Sequence, residues 1–461
     1  MNRRHTLLYC ILATLLLAVT ADAQSLYHKN SRVALFDNCA SPVAYDLVTA
    51  SLNRHPVVAN TDRDRQGTFY LKNGDHVVFY GDSITEQRLY TSFVETYIVT
   101  RFPKLNVTFY HSGVGGDRVS GGWAGKIDPR IDRDVLPYQP TVMTCMLGMN
   151  DAGYQPYKDD IFNAYATGYQ HIVDRVKAAC PGIRMTLIQP SPYDDVTRAP
   201  GWDPGYNAVL VRYGEFVKAL AQKSGLDVAD LNTPVVAMLQ KANATDPKLA
   251  QKIIPDRVHP GPGGHLIMAE ALLKAWYAPS LVAGVEIDAA AKHVTKAENT
   301  RVRDLALSGE ALTWEQTDDA LPLPLPMSDT ALALAVHSSD VVEALDQEPL
   351  KVTGLSGARY RLKIDGEDVG TFTKEDLEAG VNLAMLATPM VKQASDVHAL
   401  TWKHNDLHQA RWRQVQMPLA DDKSPAVQRA LASLDALDAA IVKEQHAAAQ
   451  PKPHRYELTP A

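Results

Sequence analysis

With 461 residues, 46% of them hydrophobic, the chain is long enough to bury a large core and to form two or three domains. A net charge of −7, from 46 Lys and Arg against 53 Asp and Glu, leaves no basic stripe for a nucleic acid. With four cysteines and no C-x-x-C spacing, the sequence gives no support to a zinc or dithiol redox centre.

Residues 1–23 read as a signal peptide. Arg3 and Arg4 supply the positive end, residues 7–19 an apolar run too short to span a bilayer, and Ala21-Asp22-Ala23 a cleavage site. The expected location is therefore secreted or periplasmic. No later stretch is long and apolar enough for a transmembrane helix, so no membrane span is expected. Cleavage removes Cys10 and leaves Cys39, Cys145 and Cys180, which permits at most one disulfide and does not fix its pairing. Residues 24–74, punctuated by Pro42, Pro56 and the charged run 62–65, read as a lead-in that wraps the main domain.

A strand–helix alternation then begins. Residues 77–80 form a short apolar strand that runs into Gly81-Asp82-Ser83. Tyr90, Phe93, Val94, Tyr97 and Ile98 give residues 86–101 a helical spacing. Ser83 thus stands between a strand end and a helix start. Free N–H groups and the helix dipole favour negative charge there, as a serine nucleophile needs. A second strand at 107–110 leads into Gly113-Val114-Gly115-Gly116-Asp117, and a third at 141–147 into Gly148-Met149-Asn150-Asp151. A helix at 161–179 follows, then a strand at 185–189, a helix at about 206–223, a strand at 227–230 and a helix at 264–276. This alternation predicts a parallel sheet with helices on both faces and a ligand site at the carboxyl ends of its strands. Before the last helix, Asp256 precedes His259 by three residues, a spacing that lets the carboxylate fix the imidazole tautomer.

These blocks, in this order, resemble the SGNH (GDSL-type) hydrolases, over about residues 75–280. Gly81-Asp82-Ser83-Ile84, Gly115-Gly116-Asp117, Gly148-x-Asn150-Asp151 and Asp256-x-x-His259 carry the likeness. His111 stands where many members have asparagine. The resemblance implies a flavodoxin-like three-layer α/β/α fold and a serine esterase needing no cofactor and no metal. Its triad would be Ser83, Asp256 and His259, and its oxyanion hole Ser83, Gly116 and Asn150. Arg118, Trp123, Tyr154, Tyr157 and Tyr193, with Arg198 and Trp202, fall in the strand-end loops as candidate substrate contacts. Aromatic rings can cover sugar faces, and few aliphatic residues are there to line an acyl groove. The reading is a secreted esterase removing short acyl groups, acetyl above all, from plant cell-wall polysaccharide or oligosaccharide. A lipid or aryl esterase with the same triad is the alternative, and a catalytically silent glycan-binding protein a further one.

Beyond residue 282 the character changes. Residues 283–388 read as a β-rich accessory domain separable from the hydrolase domain at 75–282, with an Asp365-Gly366 hairpin turn and a proline-rich crossing segment at 321–326. Residues 389–461 read as a helical C-terminal segment with a frayed tail from Ala447. His404 and His408, four apart, could pair on a metal, but Asn405 stands where a zinc protease needs glutamate, and a solvated helix face is the expectation.

Overall fold

A computed structural model describes residues 68–461. The signal-peptide expectation, most of the lead-in and Cys39 lie outside them. Among the described residues Cys145 and Cys180 are free thiols.

The first sheet is parallel, with β1 (His76–Gly81), β2 (Thr108–Gly113), β3 (Val142–Met146), β4 (Arg184–Gln189) and β5 (Asp227–Asp230) in the spatial order β2-β1-β3-β4-β5. β1 is an interior strand and pairs with β2 from His76–Thr108 to Gly81–Gly113, so Ser83 and the glycine loop after β2 leave the sheet side by side. On its other side Val77 to Gly81 pair with Val142 to Met146, which brings the loop after β3 to the same edge. β1 and β3 are buried almost throughout, as strands covered by helices on both faces must be. The expected three-layer α/β fold is present.

The helix expected over 86–101 is broken. A single turn, α1 (Ser83–Glu86), is followed by Arg88 at φ 60° and then by α2 (Leu89–Arg101). Further along lie α3 (Asp159–Ala179), α4 (Tyr206–Ser224) and α5 (Pro262–Ala275). Every residue of α2 from Tyr90 to Arg101 is buried, Glu95 among them. A helix hidden all round is covered on every side. Here the covering comes from the sheet, from α5 and from α6 (Pro389–Ala410), 300 residues away in sequence.

Two further sheets follow the hydrolase elements. One is β13-β10-β6-β7, from β6 (Gly284–Asp288), β7 (His293–Glu298), β10 (Pro349–Thr353) and β13 (Val381–Asn382). The other is antiparallel, β8-β9-β14-β11-β12, from β8 (Thr300–Ser308), β9 (Ala311–Asp318), β11 (Arg359–Ile364), β12 (Glu367–Thr373) and β14 (Pro453–Pro460). They enclose a second core around Trp314, Tyr360, Leu362, Tyr456 and Leu458. Asp365 at φ 52° and Gly366 at φ 81° make the left-handed pair that a two-residue hairpin turn requires.

Two expectations fail here. The chain end is not frayed: β14 is the middle strand of its sheet, hydrogen-bonded to β9 and β11, and Tyr456 stacks on Trp314 at 4.9 Å. The alternation Tyr456, Leu458 carried that strand, but the Ala- and Gln-rich run of α7 (Pro425–Ala448) just before it masked the change of period. Nor is α6 solvated at its histidines. His404 and His408 are buried, His404 Nδ1 lying 2.7 Å from Asp438 Oδ1 of α7 and its Nε2 3.3 Å from the Phe109 carbonyl oxygen. The polar face of α6 meets polar groups of α2. Asn405 donates to Ser92 Oγ at 2.9 Å, Thr96 Oγ1 lies 2.8 Å from His398 Nδ1, and Gln445 of α7 donates to Glu95 Oε1 at 2.9 Å. The proline-rich segment crosses as expected, with Leu323 in the first core and the Leu321 N–H on the Thr100 carbonyl oxygen.

Candidate functional site

Ser83 opens α1 directly after β1. Asp82 caps that turn, accepting the Ile84 N–H at 3.0 Å and leaving the Ser83 side chain free of capping duty. Ser83 Oγ lies 2.8 Å from His259 Nε2, and His259 Nδ1 lies 2.7 Å from Asp256 Oδ2. The other Asp256 oxygen accepts the Val258 and His259 N–H groups at 3.0 and 2.7 Å. One carboxylate therefore fixes both the loop and the ring it carries. Burial works against the Asp256 charge, but hydrogen bonds from His259 and Val258 outweigh it and hold the carboxyl below its usual range. A base fixed by an ionised partner and aimed at a hydroxyl is the arrangement for nucleophilic attack on a carbonyl.

The loop carrying Asp256 and His259 is braced by arginines. Arg198 donates to Asp194 Oδ2 and to the carbonyl oxygens of Ile254, Gln251 and Pro255, each at 3.0 Å. Arg198 was expected at the substrate; its guanidinium is spent on the frame instead.

Gly116 and Asn150 lie at the neighbouring strand ends. Gly116 has φ 76°, and a Cβ there would meet nothing within 4 Å, so backbone conformation rather than space calls for glycine. Among the described residues neither the Ser83 nor the Gly116 N–H donates to any protein group. Asn150 Nδ2 donates to the Asp117 carbonyl oxygen at 3.1 Å while its Oδ1 accepts from Tyr154 at 3.1 Å, which fixes the amide orientation and leaves one N–H free. Behind these donors two carboxyls are buried. Desolvation pushes Asp82 and Asp151 up to about 7 despite the N–H bonds each accepts, from Ile84 and from Val119.

The proposed substrate contacts divide. Trp123, 55% exposed, donates its indole N–H to the Gly115 carbonyl oxygen at 2.8 Å, and Arg118 is exposed on the same loop. Tyr154, 43% exposed, is hydrogen-bonded to Asn150 and lies 6.3 Å from the Tyr193 ring. Tyr157 is not brought to this group: Arg212 covers its ring at 3.6 Å and Phe162 packs beside it. Trp202 packs on Tyr206. Sequence reasoning missed Glu86, Gln409 and Arg413, which surround the glycine loop after β2. Glu86 follows the Gly-Asp-Ser block directly and could have been suspected. Nothing local marks the other two.

No helix among the described residues is long and apolar enough to cross a membrane. The GDSL-like lipase/acylhydrolase family matches residues 79–267. An acetylxylan esterase of Geobacillus stearothermophilus is 23% identical over 228 residues, 44% of this chain and 94% of its own. Its solved structure overlaps 45% of the chain with a TM-score of 0.37. A gut microbial diltiazem-metabolizing enzyme is 26% identical, with a TM-score of 0.76 over 86% of this chain and 100% of its own. The family match starts within β1 and ends within α5, enclosing Ser83, the glycines after β2, Asn150 and His259 with Asp256, so residues 79–267 carry a GDSL-like lipase/acylhydrolase domain and the chain is a carboxylic ester hydrolase.

Proposed function

We propose that the protein hydrolyses short-chain acyl esters, acetyl first, on a carbohydrate. The observation that carries the chemistry is the continuous Ser83–His259–Asp256 hydrogen-bond chain beside two unengaged backbone N–H groups. His259 takes the Ser83 proton as Oγ attacks the ester carbonyl, and Asp256 stabilises the imidazolium so formed. The Ser83 and Gly116 N–H groups with the Asn150 amide hold the oxyanion, each donor being worth about 2.7–4 kcal/mol of barrier. His259 returns the proton to the leaving alcohol, then activates the water that frees the acid.

The carbohydrate part rests on the exposed Trp123, Tyr154 and Arg118 around the serine, and on the likeness to an acetylxylan esterase. Flat rings with polar edges suit sugar rings. The stronger likeness to a diltiazem-metabolizing enzyme favours a second reading, an ester of a non-carbohydrate small molecule. Arg3, Arg4 and the Ala21-Asp22-Ala23 site support export, which sequencing of the mature amino terminus tests.

The deciding measurement is kcat/KM for acetyl to decanoyl esters of one leaving group, beside acetylated xylo-oligosaccharides. Activity should be greatest for acetyl and fall steeply by about six to eight carbons. A maximum at octanoyl or beyond, or no action on any acetylated oligosaccharide, refutes the carbohydrate reading.

A further inference from the structure

The glycine loop beside Ser83 is gripped at one residue from two sides. The Gly115 N–H donates to Glu86 Oε2 at 2.7 Å, and the Gly115 carbonyl oxygen accepts the Trp123 indole N–H at 2.8 Å. The next N–H along the chain is that of Gly116, which has no protein acceptor among the described residues. Both peptide dipoles flanking Gly115 are therefore fixed, and with them the direction in which the Gly116 N–H points. Glu86 can do this because α1 is a single turn. Ser83 and Glu86 are three residues apart on one face, so the nucleophile and the loop's acceptor move as one unit. The fit is close: a Cβ at Gly115 would lie 2.9 Å from Glu86 Oε2 and 3.9 Å from Ser83 Cβ.

Each grip is backed by the C-terminal part of the chain. Gln409, at the end of α6, donates to Glu86 Oε1 at 3.2 Å, using the oxygen that Gly115 does not. Arg413, in the wide helical turn after α6, lies 4.1 Å from the centre of the Trp123 ring, and Trp412 packs edge-on against that ring at 6.1 Å. A carboxylate accepting a backbone N–H makes a stronger bond than a neutral acceptor, and a second donor on its free oxygen fixes its rotamer.

We propose that Glu86 is a positioning residue for the oxyanion donor Gly116, and that Gln409 holds Glu86 in place, so that the C-terminal helical segment completes the hydrolase site. This rests on the ester-hydrolase reading above. Glu86 touches no reacting atom; it acts through the loop. Losing an interaction that sharpens only where charge develops lowers kcat and leaves KM in place.

The test uses the full chain with Glu86→Ala, Glu86→Gln and Gln409→Ala, assayed on a small acetyl ester with active sites counted by an organophosphonate. A boronic acid provides the second readout. Its boron accepts an electron pair from Ser83 Oγ while His259 takes the hydroxyl proton, and the resulting tetrahedral anion occupies the oxyanion site. Glu86→Ala should lower kcat per active site by about ten- to a hundredfold with KM little changed, as a displaced donor does. Boronate affinity should fall by a similar factor. Glu86→Gln should retain most activity, because its amide oxygen can still accept from Gly115, and Gln409→Ala should show a smaller loss of the same pattern. Unchanged kcat per active site in Glu86→Ala overturns the proposal, as does Glu86→Gln being as impaired as Glu86→Ala. If Glu86→Ala does not fold, Gln409→Ala decides by the same kcat, KM and boronate criteria. Wild-type enzyme inactive on every ester, or Ser83→Ala fully active, would instead sink the hydrolase reading.

Discussion

His404→Gln should weaken the fold in a way that depends on pH. His404 is buried between Glu95 of α2, whose Oε1 is 3.8 Å from its Nε2, and Asp438 of α7, 2.7 Å from its Nδ1. Desolvation opposes its charge, but Glu95 and Asp438 together raise its pKa from 6.5 to about 9. His111 shares Glu95, at 3.1 Å, yet burial takes it the other way, helped by the positive charges of His404 and Arg88, and burial likewise pushes His408 down. The site therefore holds one imidazolium, on His404. At 1.36 kcal/mol for each pH unit, the rise from 6.5 to about 9 corresponds to about 3 kcal/mol of stability. Because the folded pKa is the higher one, this contribution is complete below pH 6.5, declines above it and is gone by about pH 9. The assay is equilibrium urea unfolding of wild type and His404→Gln at several values from about pH 6 to about pH 9.5. The gap between them should shrink by about 3 kcal/mol across that range, and Glu95→Gln should flatten the same slope. A gap constant with pH refutes a charged His404.

Asn150→Ala should cut kcat by about 10²–10³ with little change in KM, as read from steady-state kinetics. Asp256→Asn should lower kcat more than it raises KM, since the carboxylate acts on an imidazolium that forms only during reaction; equal effects on both would argue against that role. Ending the chain at residue 283 should give insoluble or unfolded protein rather than a free hydrolase domain, measured by soluble yield and circular dichroism. The cut strips Leu323, Leu332 and Val397 from the first core and leaves Glu95 facing solvent beside apolar residues. A soluble, active chain ending at residue 283 would show that the C-terminal packing is dispensable.

The site was legible because its chemistry is local. Ser83 sits in a strand–turn–helix signal, Asp256 and His259 in one short loop, and Gly116 needs glycine for φ 76° alone. The parallel sheet with helices on both faces likewise follows from the βα alternation. What failed were assignments that needed a partner far along the chain. Arg198 and Tyr157 have the chemistry of substrate contacts, but the carbonyl oxygens of residues 251–255 and the Arg212 guanidinium respectively engage them first. A loop arginine has five donors, and a sequence does not reveal which carbonyls claim them.

The C-terminal helix shows the same limit most sharply. In α6, Thr401, His404, Asn405 and His408 recur at helical spacing, so the stripe is polar and reads as the wet face. It is the buried face. Ser92, Glu95 and Thr96 of α2 form a second polar stripe at the same spacing; Thr401, His404 and Asn405 find hydrogen-bond partners on α2 or α7, Glu95 finds one on α7, and His408 packs against the Tyr110 and Tyr138 rings. The trace of this in the sequence was Glu95, a carboxylate in a helix otherwise flanked by Phe93, Val94, Tyr97 and Ile98. A charge placed there is costly unless a cation comes to meet it, and the nearest bases in sequence, Arg88 and Arg101, are engaged elsewhere. An unexplained carboxylate on an apolar helix and an unexplained histidine on a distant polar one are two halves of one observation. Their pairing helps fasten the C-terminal helices to the element that follows Ser83.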